Sequence, residues 1–378
     1  MVILGGALLL WAAVVAVVSG VAITRAGRLR RQPPHPTAGT TPVLVVRPCA
    51  GLEPGLEDRL VATAAARRPL GSLTVGLSVA DPADGALPAI EAAATRLRAL
   101  DIPVVVRVID PGEAPNRKAA QLVAWLADAP PTGALVCIDS DVDLVDFPLD
   151  SLLAPLEDLT VGATWAPPAE HGGHTAGDRA SAAFLGASLH AFALLGPLDP
   201  AGLVGKVFAV RVAAVHAAGG LDGLENTLGE DMEIARRLRH AGYHTRLVPT
   251  PARAVPSGRS HAEVVARFAR WLAVIRAQRP ALLLSYPLLF GATFPLVILG
   301  LALPGPLATA AAVLAASTRI LVALAAQHFS GLPPTLPLRA IAEAEWLTWR
   351  AFLRAARTRE VEWRGRRLRI LPGGRLGT

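Results

Sequence analysis

Charge is missing from two long stretches of this 378-residue chain, and lysine is missing from almost all of it. Residues 2–24 carry no charged side chain, and residues 280–338 carry one, Arg319. About 20 apolar residues cross a bilayer as a helix, so these gaps exclude an ordinary soluble protein. The overall composition, 52% hydrophobic, agrees. Cysteine is nearly absent too, with two residues far apart, Cys49 and Cys137. That excludes a disulfide scaffold, and Cys137, inside an apolar run, reads as a small buried side chain. No internal repeat or low-complexity tract stands out.

The first gap ends at RAGRLRR, residues 25–31, with four arginines. A cleaved signal peptide carries its positive charge ahead of the apolar run, so residues 1–25 are expected to be a retained anchor. The second gap allows two crossings within 280–330, at about 282–302 and 307–327, turned by LPGP at 303–306. Arg319 would be costly within the membrane and is expected to snorkel to its edge or to meet Glu343 or Glu345 on the next helix. Residues 26–41 read as a linker, 42–279 as the soluble domain and 331–378 as a basic amphipathic tail.

Of the net charge of +7, residues 25–31 hold +4 and residues 339–378 hold +6, which leaves −3 for the rest. The basic excess lies beside the apolar segments, which is the positive-inside pattern. A nucleic-acid channel would need a basic central region, so nucleic acid is excluded as a partner.

Between residues 42 and 279 the pattern alternates. Apolar β-branched runs at 42–48, 72–81, 103–110 and 134–139 are separated by Ala- and Leu-rich helical stretches near 54–67, 87–100 and 115–128. Such alternation predicts an α/β fold, a mostly parallel sheet with flanking helices, whose ligands bind at the carboxyl ends of the strands. Asp81, Asp110 and Asp139 each close a run there.

The run ALVCIDSDVDL, residues 134–144, ends in three alternate carboxylates, Asp139, Asp141 and Asp143. Alternate residues of an extended chain share a face, so this cluster needs positive charge. A solvated helix-capping loop is one reading. A calcium loop would need Gly and Glu where Leu144 and Asp150 stand. Asp139 and Asp141 also suit the nucleophile and acid of an aspartyl phosphatase, or the ligands of a divalent cation bridging a diphosphate. Further on, Gly229, Glu230 and Asp231 precede a helical pattern closed by Gly242, and Arg267, Arg270 and Trp271 lie within about one helical turn just before the second gap.

Taken in order, Asp81, the DSD at 139–141, the GED at 229–231 and the RFARW at 267–271 resemble the D, DxD, (E)D and (Q/R)xxRW series of family 2 and family 21 glycosyltransferases. Ceramide glucosyltransferases are most similar, and a bacterial hopanoid-associated glycosyltransferase shares the layout. The segments RPCAGLEPGLEDRL, APNRKAAQL, LVGKVFAVRVAAVHAAGGL and EWRGRRLRILPGG extend the likeness over nearly the whole chain. It departs where the ceramide enzymes have DSG and at Cys49.

The resemblance implies a GT-A-like sheet with one N-terminal and two or more C-terminal transmembrane helices. It implies Mg²⁺ or Mn²⁺ on Asp139 and Asp141, Asp231 as general base, and a UDP-sugar donor touched by Asp81. Arg267 and Arg270 would clamp phosphate, Trp271 would offer a flat wall to acceptor or sugar, and Glu230 and His190 would join the binding residues. The other partners would be a membrane lipid acceptor and the bilayer itself, in the inner membrane of a bacterial-type cell with the catalytic domain facing the cytoplasm. Lysine scarcity adds a hint. Of 37 basic residues only Lys118 and Lys206 are lysines, and both lie in segments of resemblance, which suits a compact charge near a diphosphate.

Overall fold

The computed structural model describes residues 1–32, 41–66, 73–333, 338–358, 360–363 and 366–377. Residues 33–40, half of the expected linker, lie outside these, and residues 26–30 of it continue the first helix. The chain forms two compact units. One comprises residues 1–31, 169–198 and 258–374; the other comprises 32–168, 199–257 and 375–378.

The second unit is the α/β part. Its strands, in chain order, include β1 (Val43–Pro48), β2 (Leu73–Val79), β3 (Val104–Val108), β4 (Ala134–Ile138), β5 (Val142–Asp143) and β6 (Val161–Trp165). After β7 (Pro168–Glu170), at the unit boundary, come β8 (Val207–Arg211), β9 (His244–Leu247) and β10 (Ala252–Ala254). Seven of them form one sheet in the order β3-β2-β1-β4-β8-β6-β9. The pairs β1/β2, β2/β3, β1/β4 and β6/β9 are parallel, while β8 runs antiparallel to both β4 and β6. The sheet is therefore mainly parallel, as the alternation of runs predicts.

Alternate residues serve opposite faces. Val75, Leu77 and Val79 of β2 join Leu56, Leu60, Ile90 and Leu97 of the helices Leu56–Val61 and Leu87–Arg98 in one core. On the other face the Ser78 hydroxyl donates to Gln121 Oε1 at 2.7 Å and accepts from Trp125 Nε1 at 2.9 Å, both from the helix Arg117–Leu126. Gly76 is required there, because a Cβ would stand 2.9 Å from the Trp125 ring. Cys49 and Cys137 are buried and free.

The first unit is helical. The helix Val2–Arg30 packs on Pro306–Phe329 through small residues, Ala12 against Ala308, Ala311 and Ala315, then Ala22 and Ala26 near Ala326. Small residues let helix backbones approach where apolar burial alone gives no preference between helix and lipid. Both helices are long and apolar enough to cross a membrane. The outer face of the first remains apolar, with Ile3 90%, Leu10 68% and Val17 65% exposed.

The expected crossing at 282–302 is broken. Pro280–Phe290 and Thr293–Ala302 meet at 44°, with a π-turn over Tyr286–Phe290. Pro287 lacks the N–H a regular helix would use, which accounts for the break. If the bent pair is one span, the described residues hold three candidate spans. Arg319 pairs with Glu345 at 3.1 Å rather than with Glu343, and also donates to the Ala187 carbonyl. Glu343 instead meets Arg339 at 2.9 Å on its own helix.

Candidate active site

The carboxyl ends of β1, β2 and β4 set the stage. Immediately after β4 the chain turns through Asp139, Ser140 and Asp141 before β5 pairs with β10. Two arginines hold that turn by its backbone. Arg47, fully buried on β1, donates to the carbonyls of Asp139 at 3.2 Å and Val142 at 2.8 Å. Arg59 Nε donates to the Ser140 carbonyl at 3.0 Å and its guanidinium pairs with Glu53 at 3.1 Å. Burial, then the Asp141 charge, holds the Glu53 carboxyl above its usual range.

Both lysines of the chain converge on these aspartates. The helix Arg117–Leu126 is capped by Asn116, whose side chain accepts from Ala119 N, and its first turn carries Lys118. Lys118 Nζ donates to Asp139 Oδ1 at 2.7 Å, Glu230 Oε1 at 3.2 Å and the Gly205 carbonyl at 2.8 Å. Those carboxylates hold its ammonium well above its ordinary pKa despite burial. Lys206 stands opposite Asp139 where the β4/β8 ladder runs out, and its carbonyl accepts from Asp139 N at 2.9 Å. Its ammonium donates to Asp141 Oδ2 and lies 3.8 Å from Asp139 Oδ2.

The third acid enters from the helix Glu230–His240. Gly229 caps it in the left-handed region at φ +78, which points the following two carboxylates into the cluster. Asp231 Oδ2 accepts from Gly205 N at 2.7 Å and Oδ1 from Met232 N at 2.8 Å. Burial, reinforced by the neighbouring Glu230 charge, pushes the Asp231 carboxyl up to about 6. Glu230 moves the other way: although burial opposes it, Lys118 and its hydrogen bonds keep its carboxyl below the usual range. Asn116 Nδ2 contributes one of those bonds at 3.1 Å. Two carboxyls side by side thus differ in proton affinity, which is how acid and base roles separate.

Lys118, Asp139, Asp141, Glu230 and Asp231 therefore form one polar cluster through Lys118 and the Gly205–Lys206 segment. Asp81 lies after β2 on the same sheet edge, exposed, with Oδ1 accepting from Ala83 N at 2.8 Å. The other expected residues belong to the helical unit. Arg267 is buried, pairs with Glu170 at 2.6 Å, donates to Ser181 Oγ at 3.2 Å and lies 4.9 Å over the Trp271 ring. His190 Nε2 and the Tyr286 hydroxyl share a hydrogen bond at 2.7 Å, and the imidazole stacks at 6.5 Å on Trp271. Burial pushes His190 down to about 4, so it is neutral. Arg270 lies one turn along the same helix as Arg267, His261–Gln278.

Sequence reasoning missed Arg47, Arg59, Glu53 and Asn116. Arg47 had a signal, an arginine inside the otherwise apolar strand VLVVRP.

Residues 8–376 match the profile of glycosyl transferase family 21. The chain belongs to that family. No curated protein matches it. Among solved structures, the mannosyltransferase PcManGT from Pyrobaculum calidifontis, in complex with GDP-mannose and Mn²⁺, is 19% identical with a TM-score of 0.48, covering 92% of this chain and 97% of its own. Glucosyl-3-phosphoglycerate synthase from Mycobacterium tuberculosis, with Mn²⁺, UDP and phosphoglyceric acid, is 18% identical with a TM-score of 0.34, covering 62% of this chain and 78% of its own.

Proposed function

We propose that this family 21 glycosyltransferase moves a single hexose from a UDP-sugar to the hydroxyl of a membrane lipid, such as ceramide, with inversion at the anomeric carbon. The observation that carries the reading is the common cluster: Asp231, raised toward neutral pH, is held by Gly205 N–H, and the adjoining Lys206 holds Asp141. A base near pH 6 beside an aspartate pair is what hydroxyl activation opposite a departing diphosphate requires.

The donor set of Asp139 and Asp141 fits Mg²⁺ or Mn²⁺, since such ions take one or two carboxylates and complete their shell with phosphate oxygens and water. When bound, the ion supplies charge neutralisation to the leaving diphosphate. The protein's own residues do the rest. Asp231 takes the acceptor's proton, and the Lys118 ammonium holds Asp139 and Glu230 in place. Asp81 contacts the uracil end of the donor. In the helical unit, Trp271, steadied by Arg267 and His190, provides a flat apolar surface for acceptor or sugar, and Arg270 meets phosphate. We place the catalytic unit on the cytoplasmic side of the inner membrane, in line with the arginines at the C-terminal end of the first helix.

Single displacement makes a β-glycoside from an α-linked donor. NMR of the purified lipid product tests this: a β anomer is expected, and an α product would refute direct displacement by a hydroxyl activated at Asp231.

A further inference from the structure

The two lysines differ in how their ammonium groups are satisfied. Lys118 has three N–H groups and three acceptors, on Asp139, Glu230 and the Gly205 backbone, so it is fixed from three sides. Lys206 has contacts of another kind. Its backbone is stitched to the aspartate turn through Asp139 N, and among the described residues its ammonium meets carboxylate oxygens, Asp141 Oδ2 and, at 3.8 Å, Asp139 Oδ2. These belong to the same two side chains that the proposed function gives to a divalent cation. A four-carbon stem anchored at one end can swing its charge without moving the strand.

Electrostatics make the two occupants alternatives. Asp139, Asp141 and the nearby Glu53 put three carboxylates around this turn, and Arg59 answers Glu53. In the structure the Lys206 ammonium offsets the charge of Asp141, whose side chain is only 10% exposed. With a divalent ion there, an ammonium in contact with the same oxygens would be repelled. The diphosphate that arrives with the ion offers that ammonium new oxygens.

Resting on that reading of the site, we propose that Lys206 is a displaceable internal counter-ion, closing the aspartate pair in the donor-free enzyme and transferring to donor phosphate as the cation binds. Two consequences follow. The aspartate pair resists free Mn²⁺, because the ion must break an internal ion pair. Nucleotide diphosphate relieves that resistance, so metal and nucleotide bind with positive coupling that runs through Lys206.

The test uses the full chain in detergent and needs no turnover. Mn²⁺ binding is followed by electron paramagnetic resonance, alone and with UDP, for wild type, Lys206→Met and Lys206→Arg. Lys206→Met should bind Mn²⁺ alone about tenfold or more tightly than wild type, with a smaller gain from UDP. Lys206→Arg, which keeps the charge, should behave like wild type. Because only two lysines exist, ¹³C-lysine labelling of the wild type gives just two side-chain signals. Mg²⁺ with UDP should move the Lys206 signal, identified by its loss in Lys206→Arg, and this measurement stands even if Lys206→Met fails to fold. Equal or weaker Mn²⁺ affinity in Lys206→Met, or a stationary Lys206 signal at saturating Mg²⁺ and UDP, overturns the counter-ion proposal while leaving the metal-dependent transferase intact. Failure of every form to bind Mn²⁺ even with UDP overturns both.

Discussion

Replacing Asp231 with Asn separates two consequences of one buried proton. In the wild type the carboxyl titrates at about 6 instead of its ordinary 3.8, chiefly through burial. A base with that value is about 90% ionised at pH 7 and about 10% at pH 5. Transfer should therefore have an acid limb near pH 6 and fall about tenfold per unit below it. Asn cannot accept the proton, so kcat should drop by roughly 10²–10⁴ while UDP binding persists. Stability should respond in the opposite sense. The folded state holds this proton more tightly than the unfolded chain, so stability is lost as pH rises through the window from 3.8 to about 6. The penalty is complete above that window, at about 2–3 kcal/mol. Asn removes it but forfeits one of the two backbone hydrogen bonds, from Gly205 or Met232, worth about 1 kcal/mol. The variant should thus be about 1–2 kcal/mol more stable than wild type at pH 8 and about 1 kcal/mol less stable near pH 4. Denaturant melts of detergent-solubilised protein at several pH values measure this. Normal turnover, or a stability difference that ignores pH, would refute the assignment.

Other perturbations have equally definite outcomes. Gly205→Ala would set a Cβ 3.1 Å from Asp231 Oδ2, so kcat should fall about tenfold or more with little change in melting temperature. Arg47→Met strands the carbonyls of Asp139 and Val142 and should cost about 2–4 kcal/mol in denaturant unfolding, with weakened UDP binding. Glu345→Gln leaves Arg319 buried without its counter-charge and should cost about 3 kcal/mol in thermal inactivation, whereas the double change Arg319→Met with Glu345→Leu should recover most of it. Reporter fusions at residues 40, 304 and 378 should show only the middle one outside the cytoplasm; an external signal at either of the others would reverse the proposed orientation.

How much of this was legible beforehand depended on whether a feature repeats locally. The strands β1 to β4 could be read because each is an apolar β-branched run, and three of the four runs close on an aspartate, and the helix Glu230–His240 because Gly229 and Gly242 bracket it. The central antiparallel strand β8 could not be read as such, since parallel and antiparallel strands share a two-residue period and differ only in their partners. Hydropathy found the second apolar region but not its bend, which depends on Pro287 and the π-turn. Within the site, the scarcity of lysine pointed at Lys118 and Lys206, and both lie on the aspartates. The difference between their acceptor sets, carboxylates and a backbone carbonyl for Lys118 and carboxylates for Lys206, needed three-dimensional contacts. Arg267 illustrates the converse: its motif suggested phosphate, and its side chain is matched by Glu170, a residue nothing local connects to it.

The central claim is sugar transfer onto a lipid at the aspartate cluster, and radiolabelled UDP-hexose incubated with membranes bearing the enzyme tests it most directly. Label should pass into the organic phase in the presence of Mn²⁺ or Mg²⁺ for wild type and remain aqueous for Asp141→Asn. Label that stays aqueous for wild type with every UDP-hexose, while a phosphate ester is hydrolysed instead, would contradict the account.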